Sequence, residues 1–223
     1  MDEKTQGLVI KLIDYKDADK LASIFTYDLG VITAKFRGVK KEKAKLKAIA
    51  QPFTFADFNI GKIANNKVVT SALLIDNFYN ILNNYNKTIC GYIILDIIKS
   101  ILPEKKPEKD LFLLTISTLK NLEENNEYIA TINYILKFLN FSGVGVEFIE
   151  ADYVYFDKST GDFTTKNTLN CMQIDKNVYK ILKQINNQEI VEANENILKQ
   201  ILRLLHNIIF IRLDEDIKSF QFI

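Results

Sequence analysis

Leu21-Ala22-Ser23-Ile24-Phe25-Thr26, then Tyr27-Asp28-Leu29-Gly30, then Val31-Ile32-Thr33-Ala34-Lys35-Phe36-Arg37 is the stretch that decides the fold. Two short runs rich in β-branched and aromatic residues flank a four-residue connection that closes on glycine, which is the pattern of a hairpin. In the second run Ile32, Ala34 and Phe36 alternate with Thr33, Lys35 and Arg37. Successive strand side chains point to opposite faces, so one set is sent to a core and the other to solvent. The same pattern continues outward. Before the hairpin, Gly7 to Ile13 reads as a strand running into the acidic, turn-like Asp14 to Asp19. After it, Phe53 to Ile60 follows Gln51-Pro52, and Gly61 to Lys67 turns into Val68 to Leu73. Five short strands in about seventy residues fit a small closed barrel such as an OB-fold.

From about Ile75 the period becomes helical: Leu74, Phe78, Ile81, Leu82 and Tyr85 recur at spacings of three and four. Further helices are expected over Lys87 to Leu102, Leu111 to Leu122, Tyr128 to Phe141, Val178 to Ile185 and Glu192 to Leu213. Pro103 to Pro107 reads as a linker, and Gly143-Val144-Gly145 as a helix stop. Residues 146–174 read as irregular or β. The expected class is α+β: a five-stranded OB-fold barrel over residues 1–77, then a mainly α-helical domain over 78–223 with an irregular insert around 143–174.

Composition sets the function classes. Of 223 residues, 48% are apolar and 26% charged, the balance of a folded soluble chain. Met1 to Gln6 has no apolar signal-peptide core, and no apolar run reaches the roughly 18 residues of a membrane span. Cys90 and Cys171 supply neither a disulfide framework nor a four-cysteine zinc site, so a reducing cytoplasm fits. The net charge is only +1, but residues 1–80 carry thirteen Lys/Arg against nine Asp/Glu. Most of that excess lies between Arg37 and Lys47, where six basic residues meet only Glu42.

That segment, with Lys35 just ahead of it, is the first candidate site: Lys35, Arg37, Lys40, Lys41, Lys43, Lys45 and Lys47. Two readings stand. One is a mobile barrel loop that tracks phosphates and displaces their counterions; the other is a solvated charged loop. Phe36, Phe53, Phe55 and Phe58 could offer stacking faces, but their alternation places them in the core. No catalytic set emerges. The eight glycines form neither a GxxxxGK[ST] loop nor a GxGxxG fingerprint. His206 sits in an apolar helical pattern, and Asp14, Asp17 and Asp19 lack the glycine and terminal glutamate of a calcium loop. Neither a cofactor nor a metal is expected, and the chain is not expected to be an enzyme.

The ordered landmarks of the first sixty residues resemble the RecO family of bacterial recombination mediators. They are Thr5-Gln6-Gly7-Leu8-Val9, Asp14 to Lys20, Thr26, Gly30, Ala34-Lys35-Phe36-Arg37-Gly38-Val39-Lys40-Lys41, and Leu46 ahead of Gln51-Pro52-Phe53. Leu202-Arg203-Leu204-Leu205 and Lys218-Ser219-Phe220 add a looser likeness near the C-terminus. The resemblance implies an OB-fold followed by a helical domain, binding of single- and double-stranded DNA, and annealing of complementary strands. It also implies contact with the acidic, apolar C-terminal tail of single-stranded DNA-binding protein, and joint action with RecR to help RecA replace that protein. The family's basic barrel loop falls on Arg37, Lys40, Lys41, Lys43, Lys45 and Lys47. Many members carry two CxxC pairs that hold zinc after the helical bundle, whereas Gly143 to Met172 keeps only Cys171.

On this reading the chain binds without turnover, in the cytoplasm and at the nucleoid, with no membrane partner. Arg203, Arg212 and Lys218 are the candidate cations for a partner's acidic tail. A different class remains open: a non-catalytic interaction scaffold whose barrel binds a protein partner. A nuclease would need clustered carboxylates or a histidine base, which the sequence does not offer.

Overall fold

Strand β1 (Glu3–Tyr15) serves two partners in the computed structural model of the chain, which describes residues 2–64, 66–102, 104 and 106–223. Glu3 to Leu8 pair antiparallel with β4 (Phe55–Ile63), and Gly7 to Tyr15 pair antiparallel with β2 (Asp19–Thr26). The register slips between Val9 and Lys11. Such a bulge bends a strand and raises its twist, which lets one long strand turn from one wall to the next. Gly7 lies where both pairings overlap: a Cβ there would sit 2.7 Å from Ile24 Cγ2 and 3.1 Å from the Phe58 ring. Only a hydrogen fits between the two walls.

The hairpin forms as expected, β2 pairing antiparallel with β3 (Gly30–Phe36) from Thr26–Gly30 to Lys20–Phe36. Thr26 Oγ1 accepts from Leu29 N and donates to the Gly30 carbonyl, and Gly30 adopts φ +69°. That left-handed turn favours glycine. Strand β5 (Asn66–Asp76) pairs antiparallel with β4 and meets β3 in parallel at Lys35–Val68, closing the order β1-β2-β3-β5-β4. Of the turn expected over Gly61 to Lys67, residues 61–63 belong to β4 and 66–67 to β5, and residue 65 lies outside the described residues.

Inside the barrel Val9, Ile24, Ile32, Ala34, Phe36, Phe58, Ile60 and Val69 form one core with Val39, Ile49 and Ala50. Thr33 between them is exposed, so the alternation of β3 marks the inner wall. The four phenylalanines named above are all buried. Phe36 and Phe58 meet edge-on in the interior at 6.4 Å, while Phe55 packs with Phe25 and Tyr27 around Phe112, at 6.0, 5.3 and 5.8 Å.

Phe112 belongs to the compact unit of the barrel, which extends to Leu82 and takes in Leu95–Ile116; Asn83–Ile94 and Ser117–Ile223 form the second. Glu104 bridges Val31 in parallel, and residues 103 and 105 of the expected linker lie outside the described residues. The helix expected from Ile75 is corrected. Leu74 and Ile75 still belong to β5, α1 spans only Tyr79–Leu82, and α2 starts afresh at Tyr85–Ile101. Phe78 at φ +46° breaks the run, its N–H held by the Asp76 carboxylate, and Asn84 caps α2 by accepting from Lys87 N.

In the second unit the helices α4 (Glu127–Phe141), α5 (Lys176–Asn186) and α6 (Glu195–Leu213) begin at side-chain caps from Asn126, Asp175 and Asn194; α3 (Lys109–Glu124) contributes to both units. The Asn194 cap explains why α6 starts three residues after the expected Glu192. The insert at 146–174 is ordered around a small antiparallel sheet, β6 (Tyr155–Asp157) between β7 (Phe163–Thr164) and β8 (Cys171–Gln173). A 3-10 turn, Lys218–Phe222, ends the described chain. Among the described residues no helix is long and apolar enough to cross a membrane.

Candidate nucleic-acid interface

After Phe36 the chain leaves the barrel wall and folds back over one end of it. Gly38 N donates to the Asp19 carboxylate at 2.7 Å, and Lys40 N donates to the Ala18 carbonyl at 3.0 Å. A succession of tight turns follows, Lys41 N to Gly38 O, Ala44 N to Lys41 O, Lys47 N to Ala44 O and Ile49 N to Leu46 O. The apolar members point inward: Val39, Ile49 and Ala50 join the barrel core and Leu46 packs against it. The segment, open in sequence to reading as a mobile loop or as a solvated charged loop, folds as a cap pinned by its own turns. Ordering this backbone in advance lowers the conformational cost of binding.

With the apolar side chains turned in, the cations are left outside. Arg37, Lys41, Lys43, Lys45 and Lys47 are exposed and make no ion pair among the described residues. Lys40 differs, its ammonium lying 3.1 Å from the Asp14 carboxylate. Beneath the cap a cavity of about 300 Å³ is lined by Asp14, Lys20, Lys40 and Lys47 among its polar groups. Lys35 is not on the cap. It projects from the outer face of β3, its ammonium 4.5 Å from the centre of the Tyr15 ring, with Lys16 on the same ring at 5.6 Å. Sequence reasoning missed Tyr15 and Lys16, although both stand in the quoted Asp14-to-Asp19 turn.

The three cations considered for a partner's tail have different surroundings. Arg203 donates to the Ile223 main-chain oxygen at 2.7 Å. Arg212 donates to the carbonyls of Val144, Gly145 and Gly161 at 3.0, 2.5 and 2.9 Å, and to the Asp162 carboxylate at 2.5 Å. Lys218 is exposed on the 3-10 turn.

His206 lies beside them on α6, stacked on Phe220 with ring centres 4.4 Å apart and hydrogen-bonded to Asp216 at 3.1 Å. Burial holds its pKa below the ordinary value, against the opposing pull of Asp216. The unfolded chain then takes up this proton more readily than the folded one. The contribution of His206 to stability is complete above about pH 6.5 and is lost as pH falls through the folded value. We expect stability to urea to fall as pH drops below about 6.5, and His206→Gln to flatten that fall. An identical pH profile in the variant would remove His206 as the cause.

The donor chemistry of the insert does not fit zinc. Cys171 is its one thiol, its Sγ 3.1 Å from Thr168 Oγ1, and no group of three His, Cys, Asp or Glu side chains suited to a metal occurs among the described residues. The other thiol, Cys90, is buried in the helical unit, which pushes its pKa up to about 12.

Comparison with known proteins agrees with this architecture. Residues 1–78 match the family described as Recombination protein O N terminal, and residues 82–220 match Recombination protein O C terminal. Three similar relatives are each named DNA repair protein RecO. That of Caldicellulosiruptor saccharolyticus is 26% identical over 149 residues, 66% of this chain and 61% of the relative. That of Clostridium novyi is 30% identical over 148 residues, 65% of this chain and 57% of the relative. That of Dehalococcoides mccartyi is 24% identical over 229 residues, 94% of this chain and 90% of the relative. The match thus spans less than two thirds of the first two relatives and most of the third. With both halves of the chain matched, one to the barrel and one to the helical region, the chain belongs to the RecO family of DNA repair proteins.

Proposed function

We propose that the chain is a DNA-binding recombination mediator that acts without turnover. Its cap holds single- and double-stranded DNA by the phosphates, and neutralising two like-charged strands lets complementary ones anneal. With RecR, and through the tail of single-stranded DNA-binding protein, it helps RecA replace that protein on DNA, in the cytoplasm at the nucleoid. The observation that carries this reading is the cap itself: five exposed cations without an ion pair among the described residues, on a backbone pinned by its own apolar side chains. Of the cations considered for an acidic tail, Arg203 and Lys218 are exposed, and they supply the charge for that contact.

The test is binding of a labelled single strand, and annealing of two complementary ones, across a salt series. If the five cations each neutralise one phosphate, log affinity falls against log salt with a slope of about −3.5. Annealing should fade over the same range. Absence of DNA binding at low salt, combined with tight retention of a protein partner, would overturn the reading in favour of a protein-interaction scaffold.

A further inference from the structure

The four phenylalanines that could have stacked on bases are buried, so a single strand held by the cap needs its base contacts from elsewhere. The outer face of β1, β2 and β3 has the chemistry for it. Cross-strand pairing sets Lys11, Ser23 and Thr33 in one row and Ile13, Leu21 and Lys35 in the next, and Tyr15 stands opposite Asp19 beyond them. Ile13 is 49% exposed and Tyr15 is partly exposed.

Tyr15 is set apart by its lysines. Three tyrosines among the described residues carry a lysine ammonium against the ring: Tyr15, Tyr27 and Tyr128. Lys109 over Tyr27 is paired with Asp28, and Lys199 over Tyr128 is paired with Glu195. Lys16 and Lys35, over Tyr15, have no ion pair among the described residues. An exposed ammonium on a ring is a weak contact, and a base stacked on the same ring is a stronger one. A base can therefore displace a lysine from the ring, and the released ammonium is at hand for the adjoining phosphate. The acidic neighbours are Asp14, paired with Lys40, Asp19, engaged by Gly38 N, and Asp17, exposed in the turn. Tyr15 also adjoins the cap, because Ala18 O and the Asp19 carboxylate accept from the backbone of Lys40 and Gly38.

We propose that Tyr15, flanked by Lys16 and Lys35 on the outer barrel face, is a stacking platform for a base of single-stranded DNA whose phosphates continue onto the cap. The platform rests on the reading of the cap as the DNA site. It adds a preference for unpaired strands, since bases in a duplex are already stacked and cannot lie on the ring.

Oligothymidine and a duplex of matched length are titrated over a salt series with the intact protein, Tyr15→Phe and Tyr15→Leu. Tyr15→Phe should bind like the parent. Tyr15→Leu should weaken oligothymidine binding roughly 5- to 100-fold at every salt concentration, with the salt slope and the duplex affinity unchanged. Removing a ring releases no counterions, so only the intercept moves. Parent-like binding of oligothymidine by Tyr15→Leu, or an equal loss on the duplex, overturns the platform and leaves the cap standing. If the parent binds neither DNA at low salt, both readings fall. Should Tyr15→Leu fail to fold, the intact protein is titrated with an abasic strand of the same length. Weaker binding than to oligothymidine supports the platform, and equal binding overturns it.

Discussion

Replacing Lys41, Lys43, Lys45 and Lys47 together by Glu should lower affinity for a single strand about a thousandfold at low salt and abolish annealing. Four attractions to phosphate are lost and four repulsions take their place, each on the order of 1 kcal/mol near water. The salt slope should drop by about 2.8 from its parent value, because Arg37 alone remains of the five unpaired cap cations. The fold should survive. All four side chains are exposed, and the cap is held by Val39, Leu46, Ile49, Ala50 and its own turns. A circular-dichroism melt within a few degrees of the parent checks that, since surface substitutions away from caps and cores cost little. Lys40→Gln is the internal control. Lys40 already faces Asp14, so its loss should shift the slope by less than any other lysine of the cap. Annealing retained by the folded quadruple variant would move the DNA site off the cap.

The cap also shows where sequence reading reaches its limit. The strand pattern of Ile32, Ala34 and Phe36 was legible because period two survives in the one-dimensional text. The charge excess between Arg37 and Lys47 was legible for the same reason. The division of labour within it was not, since Lys40 finds its carboxylate 26 residues away and Val39 and Ile49 find the barrel core only after it closes. Period 3.6 misled at one place. Leu74, Phe78, Ile81 and Leu82 keep helical spacing across a strand end, a left-handed residue and a one-turn helix. Nothing in spacing alone registers the Asp76 and Asn84 side chains that capture backbone amides there. Tyr15 was visible as a letter, but its lysines converge from a turn and from a strand two over in the sheet.

The zinc-less insert poses the converse problem, and Arg212 is its answer. The sequence carries a charged residue near the end of α6; the fold gives its planar fork four acceptors drawn from two separated segments, Val144-Gly145 and Gly161-Asp162. Carbonyl acceptors have no signature in sequence, which is why the residue could be taken for a partner contact. Two further sets of interactions hold the same region. Phe148, Phe156, Phe163 and Tyr179 pack with ring centres 5.0 to 6.4 Å apart, and the Tyr179 hydroxyl both donates to and accepts from the backbone of Ile149. These are apolar burial and neutral hydrogen bonds from α5; Arg212 adds a charged fork that ties Val144-Gly145 and Gly161-Asp162 to α6. Arg212→Ala leaves three carbonyls without that donor and should cost about 3 kcal/mol in the helical unit. Arg212→Lys should recover little of it, since an ammonium with three donors cannot span acceptors arranged for a planar guanidinium. The readout is hydrogen exchange at the Gly161 amide, which donates to Asp157 O, together with proteolysis within 146–170 and urea unfolding. Opening of the insert in both variants, with DNA binding by the cap unchanged, is the expected result. Parent-like protection in Arg212→Ala would show that the aromatic cluster alone stands in for zinc.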